Sequence, residues 1–318
     1  MSTQVSGPSG QPSSVAPPVI DYEGSRYRTD FWEGQGRGYE DATERIALRQ
    51  LLPANGVRVA EIGAGFGRLA DLYGGYEQVV LFDYSRSLLQ EAFERWGSDK
   101  RFVFVAGNVY ELPLATGALD AVVMVRVMHH LADVGRALAQ IRRTMHRGSI
   151  AVLEYANKRN IKALARWAAR RQTWSPMDPE PVEFVELNYD FHPAWMWSRF
   201  EDARLTVQRQ LAVSHFRVPG LKNWVPAGAL ARIDSCLFSV GGRYPLAPSV
   251  FVRAAARDAA PKTSVPPDLD DLSGLLRCPV CFAERSLVRI DSDRLACNEC
   301  ESRFARDAGV WDFKERLV

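Results

Sequence analysis

Residues 57–72 read VRVAEIGAGFGRLADL. An apolar run of strand character closes on Glu61, and Gly63, Gly65 and Gly67 follow it ahead of a stretch spaced like a helix. Glycines at such a corner let the backbone turn tightly and let a ligand approach main-chain N–H groups at a helix N-terminus. A plain strand-to-helix connection would use the same residues, so the surroundings carry weight. They agree: a strand before, a helix after, and Asp83 closing the next apolar run in VVLFDYS, 22 residues beyond Glu61. Spacing then separates two ligand classes. A dinucleotide turn runs G-x-G-x-x-G, whereas here the third glycine comes one residue early and an acid stands two residues before the first.

Outward from this corner, strand and helix alternate. Strands are expected at Val57–Ile62, Gln78–Phe82, Phe102–Ala106, Ala121–Val127 and Ser149–Tyr155, with Leu205–Leu211 and Ser249–Arg253 as the last two. Helical spacing marks Asp41–Leu52 (stopped by Pro53), Leu69–Tyr73, Ser85–Trp96 and Val134–Met145. Continuous apolar strands alternating with helices predict an α/β fold: a doubly wound, Rossmann-like sheet with helices on both faces. Residues 1–18, rich in Ser, Pro and Gly, read as a disordered lead. Residues 19–255 read as one domain, 256–274 as a linker with little to bury, and 275–318 as a small cysteine-bearing module. Ala156–Arg204 is too long for a simple crossover and rich in aromatics, as functional loops are.

Composition excludes several classes. The 318 residues hold 40 Lys and Arg against 38 Asp and Glu, so the whole chain is neither a basic nucleic-acid binder nor an acidic tail. No apolar run approaches the roughly 20 residues of a membrane span, and the first residues lack the basic and apolar regions of a secretory signal. No stable membrane insertion is expected. Four of the five cysteines form two tight pairs near one end. That distribution opposes a disulfide scaffold and predicts a reducing, cytoplasmic setting.

The acid-x-Gly-x-Gly-x-Gly pattern at Glu61–Gly67 resembles the class I S-adenosylmethionine-dependent methyltransferases, and the resemblance covers about Arg37 to Ala255. It implies that Glu61, Gly63, Gly65 and Gly67 admit the amino-acid and ribose parts of S-adenosylmethionine. It places Asp83 on the ribose hydroxyls and Tyr84 against the adenine. GNVYELPLATGALDAVVMV, residues 107–125, is similar to the family's third and fourth strands. Asn108 stands where an Asp commonly holds the adenine amino group, a bond that an amide oxygen can also accept. Val109 and Arg126 complete the implied cofactor set. RVMHHL, Arg126–Leu131, is similar to the His-His-Leu of the small-molecule branch called type 11. The Pro-Gly-Gly usual before strand five is missing from HRGSIAVLEYANKRN.

Methyl transfer from a sulfonium is an in-line displacement, so positioning and desolvation supply much of the rate. A base is needed only when the acceptor must lose a proton. His129 and His130, just past the fourth strand, are the candidate catalytic residues, and strand-end hydrogen bonding is the competing role. The strand-four end lacks the Asn/Asp-Pro-Pro-aromatic sequence of amine-methylating nucleic-acid enzymes, and Cys236 lies far from any place suited to a cytosine-C5 nucleophile. Arg37, Tyr39, Glu40 and Arg45 are candidates for an arm over the cofactor or for a solvated helix. Lys158, Arg159, Lys162, Arg166, Arg170 and Arg171 run without an acid. The favoured reading is a wet helix face with Ile161, Leu164 and Trp167 packed inward; phosphate contact is the other.

Cys278-Pro-Val-Cys281 and Cys297-Asn-Glu-Cys300, fifteen residues apart, offer four thiolates for a tetrahedral, structural zinc. With RCPVC, LACNEC and ARDAGVWDF, this module resembles the Trm112-like zinc ribbons, whose free-standing members partner methyltransferases. A partner contacting the ribbon is thereby implied, though little direct role in the methyl-transfer site is expected of it. The leading expectation is methyl transfer from S-adenosylmethionine to a small-molecule acceptor. RNA or translation-factor methylation is the alternative. A non-catalytic cofactor-binding scaffold that activates another methyltransferase is the reading from a different class.

Overall fold

The computed structural model describes residues 17–218, 220, 224–263 and 271–317. Most of the expected disordered lead, 1–16, and the middle of the expected linker, 264–270, lie outside the described residues. An 11-stranded mixed sheet forms the frame of the described residues. Its parallel centre is β1 (Gly56–Ile62), β2 (Tyr76–Asp83), β3 (Phe102–Ala106), β4 (Leu119–Met124) and β5 (Met145–Ala156). β8 (Leu205–Val213) and β9 (Ser249–Ala256) extend one side, with β9 antiparallel between β5 and β8.

Residue alternation sorts the two faces. Val59, Val79, Leu81, Phe104 and Val123 pack with α1 (Gly38–Leu51), α2 (Arg86–Trp96) and α6 (Ala227–Arg243). Ala60, Ile62, Val80, Phe82, Val122 and Met124 pack with α3 (Val134–Thr144) and α5 (Pro193–Asp202). Both faces are therefore covered, which is why apolar residues follow one another through the middle of these strands, as in Val79–Phe82 and Phe102–Ala106, rather than falling at every second position. The doubly wound expectation holds.

Three local readings change. The stretch after Gly67 is not an α-helix but turns ending in one 3-10 turn, Ala70–Tyr73. Gly74 and Gly75 cut it short before the two turns that a helix needs to offset its nucleation cost. The long 156–204 segment is not one loop: it holds α4 (Ile161–Ala168), the hairpin β6 (Val182–Val185)–β7 (Asn188–Asp190), and α5. On α4 only Ala163 is buried, and Ile161 and Trp167 are 60% and 44% exposed, so the expected inward packing of its apolar side does not occur.

The cysteine module continues the same sheet. β10 (Leu287–Asp291), β11 (Arg294–Cys297), β12 (Arg303–Asp307) and β13 (Val310–Leu317) form a meander, and β13 pairs in parallel with β3, Val310 opposite Phe104. Leu275, Leu276, Phe304, Trp311 and Phe313 belong to the same apolar cluster as Val103 and Val105. The module therefore shares a core with the 19–255 domain: β3 would otherwise leave an open edge and an apolar face, and the module covers both.

The flanks of the expected linker are also tied down. Thr263 N–H donates to the Gly117 carbonyl (3.0 Å), and Lys262 Nζ donates to Asp120 Oδ1 (2.5 Å). Buried Arg58 donates through Nη1 to the Gly274 carbonyl and through Nε to Gln78 Oε1, each at 2.8 Å.

Candidate active site

The carboxyl ends of β1 to β4 open into one cleft of about 910 Å³ counted to its mouth, the position where ligands bind in such sheets. Glu61, Gly63, Gly65, Asp83, Tyr84, Val109, Arg126 and His130 line it. Gly67, Asn108 and His129 are not among its lining residues. Asn108 Oδ1 instead accepts the Tyr110 N–H (2.9 Å) and caps the turn that follows.

The glycine corner is built around Asp83. Gly63 N–H and Ala64 N–H donate to the Phe82 carbonyl at 2.7 and 3.0 Å, and Gly65 N–H donates to Asp83 Oδ2 at 2.7 Å. Asp83 Oδ1 accepts Ser85 N–H at the start of α2 (2.9 Å). The corner amides are therefore spent inside the protein. What reaches the cleft is the carboxylate that organises them. Gly63 has φ +78°, and a Cβ there would lie 2.0 Å from Val127 Cγ2, so both backbone and space require glycine.

Glu61 is buried, with Oε2 lacking a hydrogen-bond partner. Burial pushes its pKa up to about 7, against the pull of the Tyr73 hydroxyl and Arg68. Glu61 thus brings a buried carboxylate to the wall of the cleft. Burial likewise holds Asp83 above its ordinary range, against the backbone N–H groups of Ser85, Gly65 and Tyr84.

One wall comes from residues that no single motif joins. The Trp32 ring packs against the Arg68 guanidinium (3.8 Å to the ring centroid) and that of Arg126 (4.9 Å). Both arginines pair with buried Glu44, Arg68 Nη2 at 2.7 Å and Arg126 Nε at 2.7 Å. Burial would raise the Glu44 pKa, yet Arg126 and Arg68 bring it down to about 2. Arg126 sits at φ +60° with its N–H donating to Glu154 Oε2 (2.9 Å), a strained backbone fixed on both sides.

The roof is an arm further upstream than expected: Val19, Ile20, Tyr22, Tyr27 and Trp32 line the cleft. Tyr39 is buried elsewhere, donating its hydroxyl to Asp234 Oδ2 (2.7 Å), and Arg45 is held by Asp41 and Asp71. His130 joins roof to wall. The Leu187 carbonyl, 3.1 Å from Nδ1, can only accept, so Nδ1 carries the proton and Nε2 accepts from Tyr22 Oη at 3.3 Å. Burial lowers the pKa of His130, against the Leu187 carbonyl, and takes that of His129 well below its usual value.

The cysteine module reaches this site. Lys314 on β13 places Nζ 4.5 Å from the Tyr84 ring centroid and 4.0 Å from Glu23 Oε2. Glu23 accepts the N–H groups of Arg86 and Ser87 at 2.7 and 3.1 Å, and Arg86 Nη1 donates to Asp312 Oδ2 at 2.9 Å. Arm, α2 and module are one hydrogen-bonded assembly. The sulfur atoms of Cys278, Cys281, Cys297 and Cys300 lie within 4.8 Å of one another, with Cys278–Cys300 at 3.6 Å and Cys281–Cys297 at 3.5 Å. Tetrahedral zinc with Zn–S near 2.3 Å requires S–S separations of about 3.8 Å, so the four thiols fit that ion.

Residues 60–153 match a family model described as a methyltransferase domain. The malonyl-[acyl-carrier protein] O-methyltransferase of Legionella pneumophila is 27% identical over 134 residues, 41% of this chain and 46% of that protein. A Mycolicibacterium smegmatis protein named a probable S-adenosylmethionine-dependent methyltransferase is 26% identical over 212 residues, 65% of this chain and 73% of that one. A chain of the Haloferax volcanii complex between the Trm112 methyltransferase activator and a methyltransferase shares the fold: TM-score 0.50, 19% identity, 70% of this chain and 94% of that one. The chain spans under half the length of the first curated relatives that it matches. With the glycine corner, the strand-two acid and the sheet order in agreement, the chain carries a methyltransferase domain over residues 60–153, similar to those of S-adenosylmethionine-dependent enzymes.

Proposed function

We propose that this protein transfers a methyl group from S-adenosylmethionine to a small-molecule acceptor within the cleft under the 19–32 arm. The observation that carries the reading is the pair of carboxylates facing one cleft: Glu61 with an unpartnered oxygen, and Asp83 at the glycine corner. When bound, the cofactor supplies an electrophilic methyl group on a positively charged sulfur. Glu61 holds the cationic amino-acid end, Asp83 the ribose hydroxyls, and Tyr84 and Val109 the base.

The arm excludes water, which strengthens these contacts. Tyr22 and His130 face the acceptor. With Nδ1–H committed to Leu187 and burial weakening Nε2 as a base, they serve to orient the acceptor more than to remove its proton. An oxygen acceptor is in keeping with the name of the Legionella relative. Labelled cofactor incubated with a metabolite extract, with bulk RNA and with ribosomal extract tests the reading. Label in RNA or a translation factor would favour the second reading, which rests on exposed Lys162, Arg166, Arg170 and Arg171. Label nowhere would leave the scaffold reading.

Glu61 gives the cofactor site a pH dependence. An ammonium binds the ionised carboxylate, so affinity should rise as pH passes upward through about 7. For one such group the gain is about tenfold between pH 6 and 8. The linkage to stability runs the other way: a raised carboxyl pKa favours the free folded state at low pH, and that advantage is lost between the ordinary value of 4.5 and about 7. Calorimetric titration of wild type and Glu61→Gln checks this; the variant should bind weakly with a flat pH profile.

We propose further that the four cysteines hold one structural zinc and that the module serves its own chain in cis, as a built-in counterpart of a separate activator. A further protein partner on the module and a cytoplasmic, reducing setting belong to the same reading. Metal analysis should give one zinc per chain, and X-ray absorption should show sulfur-only coordination near ~2.3 Å. Cys297→Ser should lower that occupancy. The domain boundaries at 256–274 remain part of the proposal, as a division of evolutionary rather than energetic units.

A further inference from the structure

The outer faces of α4 and α6 carry apolar side chains that nothing among the described residues covers. On α6, Ile233, Leu237 and Val240 recur at i, i+4 and i+7, and Tyr244 follows one turn later. The opposite face is the one that packs, through Leu230, Ala231, Asp234 and Phe238. Val240 is 76% exposed, Tyr244 64% and Ile161 60%. The strip is continuous, because the Leu246 carbonyl accepts Ile161 N–H (2.8 Å) and Asn157 Nδ2 donates to the Pro245 carbonyl (3.0 Å). These bonds tie the end of α6 to the start of α4.

Charge says what such a strip would meet. Residues 155–177 and 203–257 contain fourteen Lys and Arg, of which Lys158 is buried and Lys222 lies outside the described residues, and a single acid, Asp234. Asp234 is buried, accepting from Tyr39 Oη and Ser214 N–H. Lys162 and Arg166 on α4, and Arg232 and Arg243 on α6, are exposed around the strip. Two copies meeting through this face would oppose like charges, which disfavours self-association. An RNA backbone would satisfy the cations but leave aliphatic side chains with no partner. A surface that is negative outside and hydrocarbon within satisfies both.

We propose that the outer faces of α4 and α6 are a docking surface for an anionic lipid bilayer, on which the protein lies peripherally. No helix among the described residues is long and apolar enough to cross a membrane, and none is needed. Ile161, Val240 and their neighbours enter the boundary between headgroups and acyl chains, and the arginines and lysines remain at headgroup level. α4 follows β5 at the end of the sheet where the cleft lies, so docking keeps the cleft's side of the molecule near the bilayer. The inference does not depend on the identity of the methyl acceptor.

Co-sedimentation of the full chain with vesicles tests it. Vesicles of phosphatidylcholine alone are compared with equal parts phosphatidylcholine and phosphatidylglycerol, at low and high salt. The expected result is binding to the anionic vesicles only, weakened by salt. Arg166→Gln and Arg243→Gln should each lower it about fivefold. Ile161→Asp and Val240→Asp should lower it further, with circular dichroism and cofactor titration unchanged. Failure to bind anionic vesicles at low salt overturns the proposal, as does binding indifferent to the two Asp variants. A dimer dissolved by Val240→Asp without vesicle binding would assign the face to a second copy. RNA binding sensitive to the Arg variants alone, again without vesicle binding, would assign it to nucleic acid.

Discussion

A chain ending at Arg257 is expected to be insoluble and to have lost its cofactor. The truncation strips β3 of its outer neighbour and leaves an open strand edge. It also removes Leu272, Leu275, Leu276, Phe304, Trp311 and Phe313 from the apolar cluster that they share with Val103 and Val105. At roughly 1.5–3 kcal/mol per buried large apolar side chain, the loss is on the order of 10 kcal/mol, comparable to the entire stability of a typical domain. Arg58 would lose the Gly274 carbonyl, and Tyr84 and Glu23 would lose Lys314. Soluble yield and cofactor calorimetry of residues 1–257 against the full chain provide the check. A soluble fragment with undiminished affinity would restore the view of an independent module. Lys314→Ala separates the two effects: it should leave the protein soluble while weakening the cofactor by about fivefold, the loss of one cation–π contact.

Asp83→Ala should abolish cofactor binding at accessible concentrations. Two bonds from ribose hydroxyls to a carboxylate are worth roughly 1.5–3 kcal/mol each, which already amounts to at least about a hundredfold. The structure adds a second loss. The same carboxylate accepts Gly65 N–H and Ser85 N–H, so alanine also frees the glycine corner and the start of α2. Asp83→Asn, which keeps an acceptor oxygen of the same reach, should recover part of the affinity. Unchanged calorimetric affinity in the alanine variant would remove Asp83 from the ribose. Binding of a nicotinamide dinucleotide in place of S-adenosylmethionine would overturn the cofactor assignment itself.

The sheet was legible because strands covered on both faces carry consecutive apolar residues, as Val79–Phe82 and Phe102–Ala106 do. Glu61, the glycine pattern and Asp83 were legible because one corner demands them together. The Trp32–Arg68–Arg126–Glu44 wall was not, since its members come from four separate segments and only the folded chain brings them together. α4 was misread for a different reason. Its apolar residues have helical period, but period shows that a face exists and not what covers it. The docking of the module was equally hidden. Nothing in the β3 sequence distinguishes a strand at the edge of the sheet from one with β13 beside it.

That pairing also sets a timetable. Phe104 and its neighbour Val310 are separated by about 200 residues of chain, and a ribosome adding roughly 5–20 residues per second needs about 10 to 40 s to connect them. Through that interval the nascent methyltransferase sheet carries a bare apolar edge, the condition under which strands pair with the wrong chain. The strand that closes this edge belongs to the segment whose four thiols fit zinc. Zinc supply during synthesis would then govern how long the edge stays open, and hence the yield of folded protein as well as its final stability.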